Sequence, residues 1–410
     1  MRNYNRKALP SGRALEVIKM SRRGNNEGSI YKDKQGRWRG LVSMPSANGQ
    51  YKRKYIYGKT RKEVSDKMNE LLRQLRSNTY VEPCKTTLYE FLHMWLNTYA
   101  KNVVRQTTFT SYETYIEKHI KGSIGNFPLC DLNTIIIQNW YNEKVRNGKL
   151  DGSGGLSPKT IRNLHNMLHK ALNQAVFLDQ IPKNPTDFVV IPRQAKKEMR
   201  YFSVEEQRQL QEIIKGNRLE MPILVSLYTG VRQGELLGLP WRNVHLNPNG
   251  QSYIRVSQAL LRVKNTDSNS KNKTVLVITE PKTPHSIRNI PLLPEVANRL
   301  AEYKNKQAQY FRKHNLPPSE LVFTSAAGTP IEPRNMQRDF KLLLRKHGMR
   351  VINIHGLRHT FATRSLESGM SVKTLSQILG HSNVAFTMDV YCHSSDELKF
   401  TEMELLNGFL

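Results

Sequence analysis

The chain has 410 residues, with 63 Lys and Arg against 34 Asp and Glu, a net charge of +29. This length suggests two to three domains with substantial cores, and the basic excess points to a polyanionic partner, nucleic acid first, instead of a small-molecule substrate. No run of about 18 apolar residues occurs, so no membrane-spanning helix is expected, and Cys84, Cys130 and Cys392 lie too far apart for a metal cluster or a disulfide framework, which fits a reducing cytoplasm.

Residues 1–24 are polar, basic and aperiodic, and are read as a disordered leader with no apolar core of a signal peptide. Met20 offers an alternative start to Met1. Residues 1–80 carry 20 of the Lys and Arg and 6 of the Asp and Glu, a net of +14 on one fifth of the chain. Three β-type runs follow, Gly28–Tyr31, Trp38–Val42 and Tyr51–Tyr57, separated by Gly- and Asn-rich turns as in a meander. Lys62–Leu75 then reads as a helix with Val64, Met68, Leu71, Leu72 and Leu75 on one face. A sheet backed by a helix can read DNA through strand side chains, and Arg37, Arg39, Lys52, Arg53 and Lys54 are its candidate contacts.

From Thr86 to Phe188 the pattern is helical. Leu88, Phe91, Leu92, Trp95, Leu96 and Tyr99 form one face, followed by helices over Thr110–Ile120, Asn133–Val145 and Pro158–Phe177. Asp151–Gly155 is a flexible break, and Ser157-Pro158 supplies an N-cap with Pro at the first helical position. The aromatic residues here are expected in the core. Ile191–Lys197 is short, basic and poor in apolar residues and suits an interdomain linker, with Lys196 and Lys197 as candidate DNA-binding residues. Ser203, with Glu205 and Glu206 behind it, opens the first helix of the next domain.

Five local contexts then carry the chemistry: Thr229-Gly230-Val231-Arg232-Gln233-Gly234-Glu235, Pro281-Lys282-Thr283, His355-Gly356-Leu357-Arg358-His359, Leu379-Gly380-His381, and Tyr391 ten residues later. Arg232 and Arg358 are permanent cations whose planar forks bind two oxygens at once, as a phosphate requires. Arg232 falls at a helix start, where backbone donors also favour phosphate, and Glu235 one turn on orients or packs. His355 and Arg358, three apart, share one side of a helix. Tyr391 is a hydroxyl nucleophile that needs help, because its ordinary pKa is near 10. His355 and His381 have no Asp, Glu or Cys at ligand spacing, so a metal site is not expected, and no nucleotide-binding loop occurs. His359 is read as structural. Around Lys282 the register is open: Leu260–Val263, a polar turn and Thr274–Ile278 read as an inserted β-hairpin, and Lys264, Lys271 and Lys273 compete with Lys282.

Taken in order across residues 200–393, these contexts resemble the tyrosine recombinase (phage-integrase) family, most closely integrases of conjugative transposons and integrative conjugative elements. The resemblance implies a mixed, multidomain fold: a small three-stranded sheet plus helix that binds arm-type DNA (25–80), an α-helical core-binding domain (86–190), a mostly α catalytic domain with a small antiparallel sheet (200–395), and a tail that packs on a neighbouring protomer (396–410). It implies a site-specific DNA recombinase that integrates and excises a mobile element through a 3′-phosphotyrosine intermediate, without ATP, metal or other cofactor. Tyr391 would be the nucleophile. Arg232 and Arg358 would clamp the scissile phosphate, and Lys282 would donate a proton to the departing 5′-oxygen. His355 would act in acid–base chemistry or orient the phosphate, and His381 would donate a hydrogen bond to it. Which histidine, if either, takes the tyrosine proton stays open. The implied partners are double-stranded DNA at core and arm sites, further copies of the chain (a tetramer in synapsis), and an accessory excision or DNA-bending protein. The implied setting is cytoplasmic, at the nucleoid. A type IB topoisomerase and a non-catalytic DNA-binding regulator are the competing readings. The intact six-residue set disfavours the regulator, and the N-terminal sheet disfavours the topoisomerase.

Overall fold

A computed structural model describes residues 28–45, 51–77, 85–194, 200–265, 270, 272–280, 286–381, 383–391, 403–404 and 407. The leader, most of the tail, Cys84, Cys392, Lys196, Lys197, Lys271 and Lys282 lie outside them, as does the side chain of Tyr391. The chain divides into two compact units, Met1–Gln194 and Ala195–Leu410.

The first unit opens with an antiparallel meander of β1 (Ser29–Lys32), β2 (Trp38–Pro45) and β3 (Tyr51–Gly58), in the order β1-β2-β3. Helix α1 (Arg61–Arg76) starts at Thr60, whose hydroxyl accepts from the Glu63 N–H at 3.1 Å. Its buried Val64, Met68 and Leu71 face Val42 and Met44, with Ile30 and Ile56 beside them. Each such side chain contributes about 1.5–3 kcal/mol on burial, which is modest for so small a core.

A second apolar cluster begins with α2 (Leu88–Trp95), opened by a reciprocal Thr87–Glu90 capping box. Leu88, Phe91, Leu92, Trp95 and Leu96 are buried as the periodicity requires, but Tyr99 is not; Ala100 takes its place. The cause is local: Leu96–Ala100 is wound as a π-helix, and the wider turn moves the inward position on by one residue. Helix α3 (Gln106–Tyr115) ends in a second π-turn, Ile116–Ile120, and starts four residues earlier than its apolar pattern suggests. Helix α4 (Thr134–Asn147) is capped by Asn133, and α5 (Pro158–Phe177) by Ser157. Between them, Asp151–Gly155 is a hydrogen-bonded turn, not a loose break: the Lys149 N–H donates to Gly154 O at 2.9 Å and the Ser153 N–H to Asp151 Oδ1 at 2.9 Å. Helix α5 buries Ile161, Leu164, Met167, Leu168, Ala171, Leu172 and Ala175 along one stripe.

The second unit is mostly helical. Helix α6 (Val204–Ile213) has a Ser203–Glu206 capping box, α7 (Glu220–Thr229) is apolar all round and buried, and α8 (Gln233–Leu237) is a short turn. Strands β4 (Val244–His245), β5 (Tyr253–Val256) and β8 (Arg288–Pro291) form one antiparallel sheet. Between β5 and β8 stands the inserted hairpin, β6 (Ala259–Lys264) with β7 (Thr274–Thr279), paired from Ala259↔Thr279 to Lys264↔Thr274. Helices α9 (Pro294–Lys313), α10 (Pro333–Lys346), α11 (Ile354–Glu367), α12 (Val372–Leu379) and α13 (Val384–Tyr391) complete the unit, with α11 against the central α7. Among the described residues no helix is long and apolar enough to cross a membrane.

Candidate active site

The site is organised by the C-terminal end of α12. Gly380 adopts a left-handed conformation (φ 65°), its N–H donates to Gln377 O at 3.0 Å, and the His381 N–H donates to Ser376 O at 3.1 Å. This Schellman closure satisfies two of the carbonyls that a helix end leaves without intrahelical donors. The next three are taken by three different arginines. Arg288 Nε donates to Ile378 O, Arg358 Nη2 to Leu379 O at 2.8 Å, and Arg232 Nη2 to Gly380 O at 3.2 Å. The negative end of a helix dipole favours cations, and here three consecutive carbonyls gather three of them.

Arg358, on α11, is 2 % exposed and also donates to Gly230 O at 2.8 Å. Gly230 ends α7 at φ 62°, and a Cβ there would come within 2.5 Å of Phe361 Cδ1, so no other residue keeps this carbonyl in place. Arg232 is the N-cap of α8 and is far more open; its Nη1 donates to Glu235 Oε1 at 2.8 Å while its own N–H donates to Glu235 Oε2 at 3.0 Å. Burial works against charge on Glu235, but the hydrogen bond and charge of Arg288, then the charge of Arg232, outweigh it and hold the carboxyl at about 2.

His381 follows Gly380 directly. A guanidinium only donates, so His381 Nε2 accepts from Arg358 Nη2 at 2.8 Å, and Nδ1 carries the proton toward Thr387 Oγ1 at 2.8 Å. Burial, then the charges of Arg358, Arg232 and Arg288, lower its pKa to about 4. In this geometry Nε2 faces the donor of a buried arginine and so accepts. His355 reaches the surface at its outer edge, while the packed wall behind it and then Arg358 and Arg232 lower its pKa. His359 meets His355 edge-on at 4.7 Å between ring centroids, and burial, then His355 and Arg358, push it down to about 4.

Tyr391 is the last residue of α13, about one turn after Thr387, which fixes the His381 ring. Lys282 lies three residues after the end of β7 and six before Arg288. The competing Lys264 and Lys273 lie at the turn end of the hairpin, about 17 Å along the strands from Ala259. That opposite end packs on α8: a Cβ at Gly234 would meet Leu260 O at 3.0 Å. Among the described residues no group of three or more His, Cys, Asp and Glu gathers as metal ligands.

Sequence reasoning gave Arg288 no role. The signal was present, since in Arg288-Asn289-Ile290-Pro291-Leu292 the arginine shares strand parity with the buried Ile290 and Leu292. Thr387 was missed as well, and a lone threonine in a helix gives no such signal.

In the first unit the strand register divides the five cations expected to act together. Arg39 and Arg53 lie opposite Tyr57 and Ser43, on the open face that also carries Tyr31 and Tyr55. Lys54 and Lys52 lie opposite Val42 and Met44, on the face that α1 covers, because side chains alternate with a period of two. The Arg39 guanidinium rests 3.6 Å from the centroid of the Tyr55 ring and 5.4 Å from that of Tyr57. Exposed Arg37 lies 5.7 Å from the Tyr57 centroid and donates to Asp33 Oδ2 at 3.0 Å.

Two family models match the chain: the phage integrase family over residues 200–397 and the phage integrase N-terminal SAM-like domain over 87–145. The tyrosine recombinase XerC-like protein of Caldanaerobacter subterraneus subsp. tengcongensis is 33% identical over 372 residues, covering 88% of this chain and 93% of the relative. The transposase of transposon Tn916 from Enterococcus faecalis is 24% identical, covering 84% of this chain and 83% of that protein. The fold is similar to that of the Tn1549 transposon integrase solved in complex with a circular intermediate DNA, with a TM-score of 0.63 at 24% identity, covering 78% and 99% of the two chains. It is also similar to lambda integrase, solved as a tetramer bound to a Holliday junction, with a TM-score of 0.54 at 16% identity over 92% and 99%.

Proposed function

The chain belongs to the phage integrase family of tyrosine recombinases and is a site-specific recombinase that cuts and rejoins DNA strands through a 3′-phosphotyrosine intermediate; from that premise we propose that Tyr391, Arg232, Arg358, His355, His381 and Lys282 carry its chemistry. The observation behind this reading is the row of carbonyls Ile378, Leu379 and Gly380, which draws Arg232 and Arg358 to one place beside His381.

Arg232, partly open and held by Glu235, presents its fork to the non-bridging oxygens, while Arg358 supplies charge from a position that is already desolvated. Tyr391 attacks phosphorus, and the bond to the 5′-oxygen breaks. Lys282, on the segment between the hairpin base and Arg288, gives that oxygen its proton, without which an alkoxide leaves poorly. His355 and His381, both held neutral at physiological pH, are able to accept a proton or to pass one on. The phosphotyrosine keeps the energy of the broken bond, so rejoining needs no nucleotide.

The mobile element, its arm and core sites, the tetrameric synapse and an accessory excision or DNA-bending protein belong to the same proposal. The open sheet face with Arg39 and Arg53 is the arm reader, the helical part (86–190) grips the core site, and the tail (396–410) docks on an adjacent protomer. The test of the site is Tyr391→Phe on core-site DNA carrying a nick near the crossover, which traps covalent protein. The variant should bind as the parent does and form no adduct. An adduct with phenylalanine at 391 would move the nucleophile elsewhere.

A further inference from the structure

Arg288 is 8 % exposed, yet every part of its fork is engaged. Its Nη2 donates to Glu235 Oε2 at 2.8 Å, Nη1 to Glu235 Oε1 at 3.3 Å and to Ser286 O at 3.1 Å, and Nε to Ile378 O. The same two carboxylate oxygens hold Arg232, through its side chain and its own N–H. Glu235 therefore stands between an arginine that is fixed and one that is open to a ligand.

Stability alone does not account for this pair. Taking a guanidinium and a carboxylate out of water costs more than their attraction commonly returns, and an apolar pair of similar volume would serve a core as well or better. Space is also reserved for it: a Cβ on Gly380 would come within 3.0 Å of Arg288 Nη1 and 3.2 Å of Cδ and Cζ. Gly380 is the residue whose carbonyl accepts from Arg232. The buried arginine thus touches both anchors of Arg232, the carboxylate on one side and the residue bearing the carbonyl on the other.

We infer that Arg288 is a positioning residue for strand cleavage, acting through Glu235 to hold the Arg232 guanidinium in its phosphate-binding orientation. This rests on the active-site reading above. Arg288 locks Glu235 bidentately from behind, so the carboxylate presents a fixed edge to Arg232 and the fork cannot swing into solvent before DNA arrives. Misplacement of a clamp by about 1 Å slows chemistry by about 100-fold while leaving the many other DNA contacts intact.

The experiment uses the full chain on nicked core-site DNA in single-turnover conditions, well below the melting temperature of each variant. Arg288→Met should slow covalent attachment about 100-fold with the DNA dissociation constant within about twofold of the parent. Arg288→Lys, which keeps the charge and loses the fork, should fall between the two. In an Arg232→Ala background, Arg288→Met should slow cleavage by no more than about threefold further, because residues that act through one another are not additive. Equal slowing in both backgrounds, unchanged cleavage by Arg288→Met, or slowing that only tracks weaker binding would each overturn the inference. Tyr391→Phe run in parallel separates the two failures: an adduct there removes the reading of the site itself, whereas its absence leaves only the role of Arg288 in question.

Discussion

Arginine is used in opposite ways in the two units. On the N-terminal sheet Arg39 lies across the rings of Tyr55 and Tyr57, and Arg37 lies over Tyr57 and is exposed. Around α12 the arginines are fixed by backbone carbonyls and one buried carboxylate, with Arg358 2 % exposed. An aromatic face holds a cation loosely, worth about 0.5–1 kcal/mol where exposed, with Arg37 further held through its Nε by Asp33. Carbonyls in a dry site hold the fork in one orientation, which a transition state rewards and a recognition surface does not require. Adaptable cations suit reading, and fixed ones suit chemistry.

The sharpest way to break this comparison is at its most fixed point. Arg358→Ala should lower covalent attachment by about 10²–10³-fold, the cost of removing one preorganised donor, with affinity for core-site DNA little changed. A loss of binding as large as the loss of rate would mean that Arg358 grips and does not catalyse. The next effect concerns the sheet. Removing residues 1–80, with their net charge of +14, should abolish arm-site binding while core-site cleavage persists. If the sheet meets about 5 phosphates, the log–log salt slope falls by roughly 4 to 5. A truncated protein that still footprints the distal site would show that reading resides elsewhere.

The smallest effect is in stability against pH. His381 and His359 have folded pKa values of about 4, below the ordinary 6.5. The unfolded chain therefore binds more protons between pH 4 and 6.5. The stability these groups contribute is complete above 6.5 and is lost as pH falls toward 4. The described sheet and α1 contain no histidine. Hydrogen exchange followed by segment should show protection of α11 and α12 declining across this window, with the sheet changing less. Equal decline in both, or none in α11 after correction for intrinsic exchange, would dissolve the contrast.

Much of this molecule is legible in its sequence, for reasons that also explain the failures. Thr87, Ser157 and Ser203 announce helix starts because a cap is a local bond. The stripe on α5 follows from period alone. Arg232, His355, Arg358 and His381 stand out because glycines and helix spacing surround them. What period cannot give is a change of winding, so Tyr99 is read as buried where the π-turn buries Ala100. Nor does composition give register, so Lys52 and Lys54 are grouped with Arg53 although alternation sets them on the opposite face. Arg288 escapes because its partners, Glu235 and Ile378, lie 53 and 90 residues away.

The acceptors that hold Arg288, Arg358 and Arg232 are main-chain oxygens at 378, 379 and 380. Substitution at Ile378 or Leu379 leaves them in place, so the identities of those two residues are free to drift so far as these bonds are concerned. Length is another matter. One residue inserted or deleted within α12 turns every later carbonyl by about 100° and shifts it by about 1.5 Å, re-aiming all three arginines at once. These three bonds therefore tolerate spelling changes at 378 and 379 and forbid changes in the helix's count.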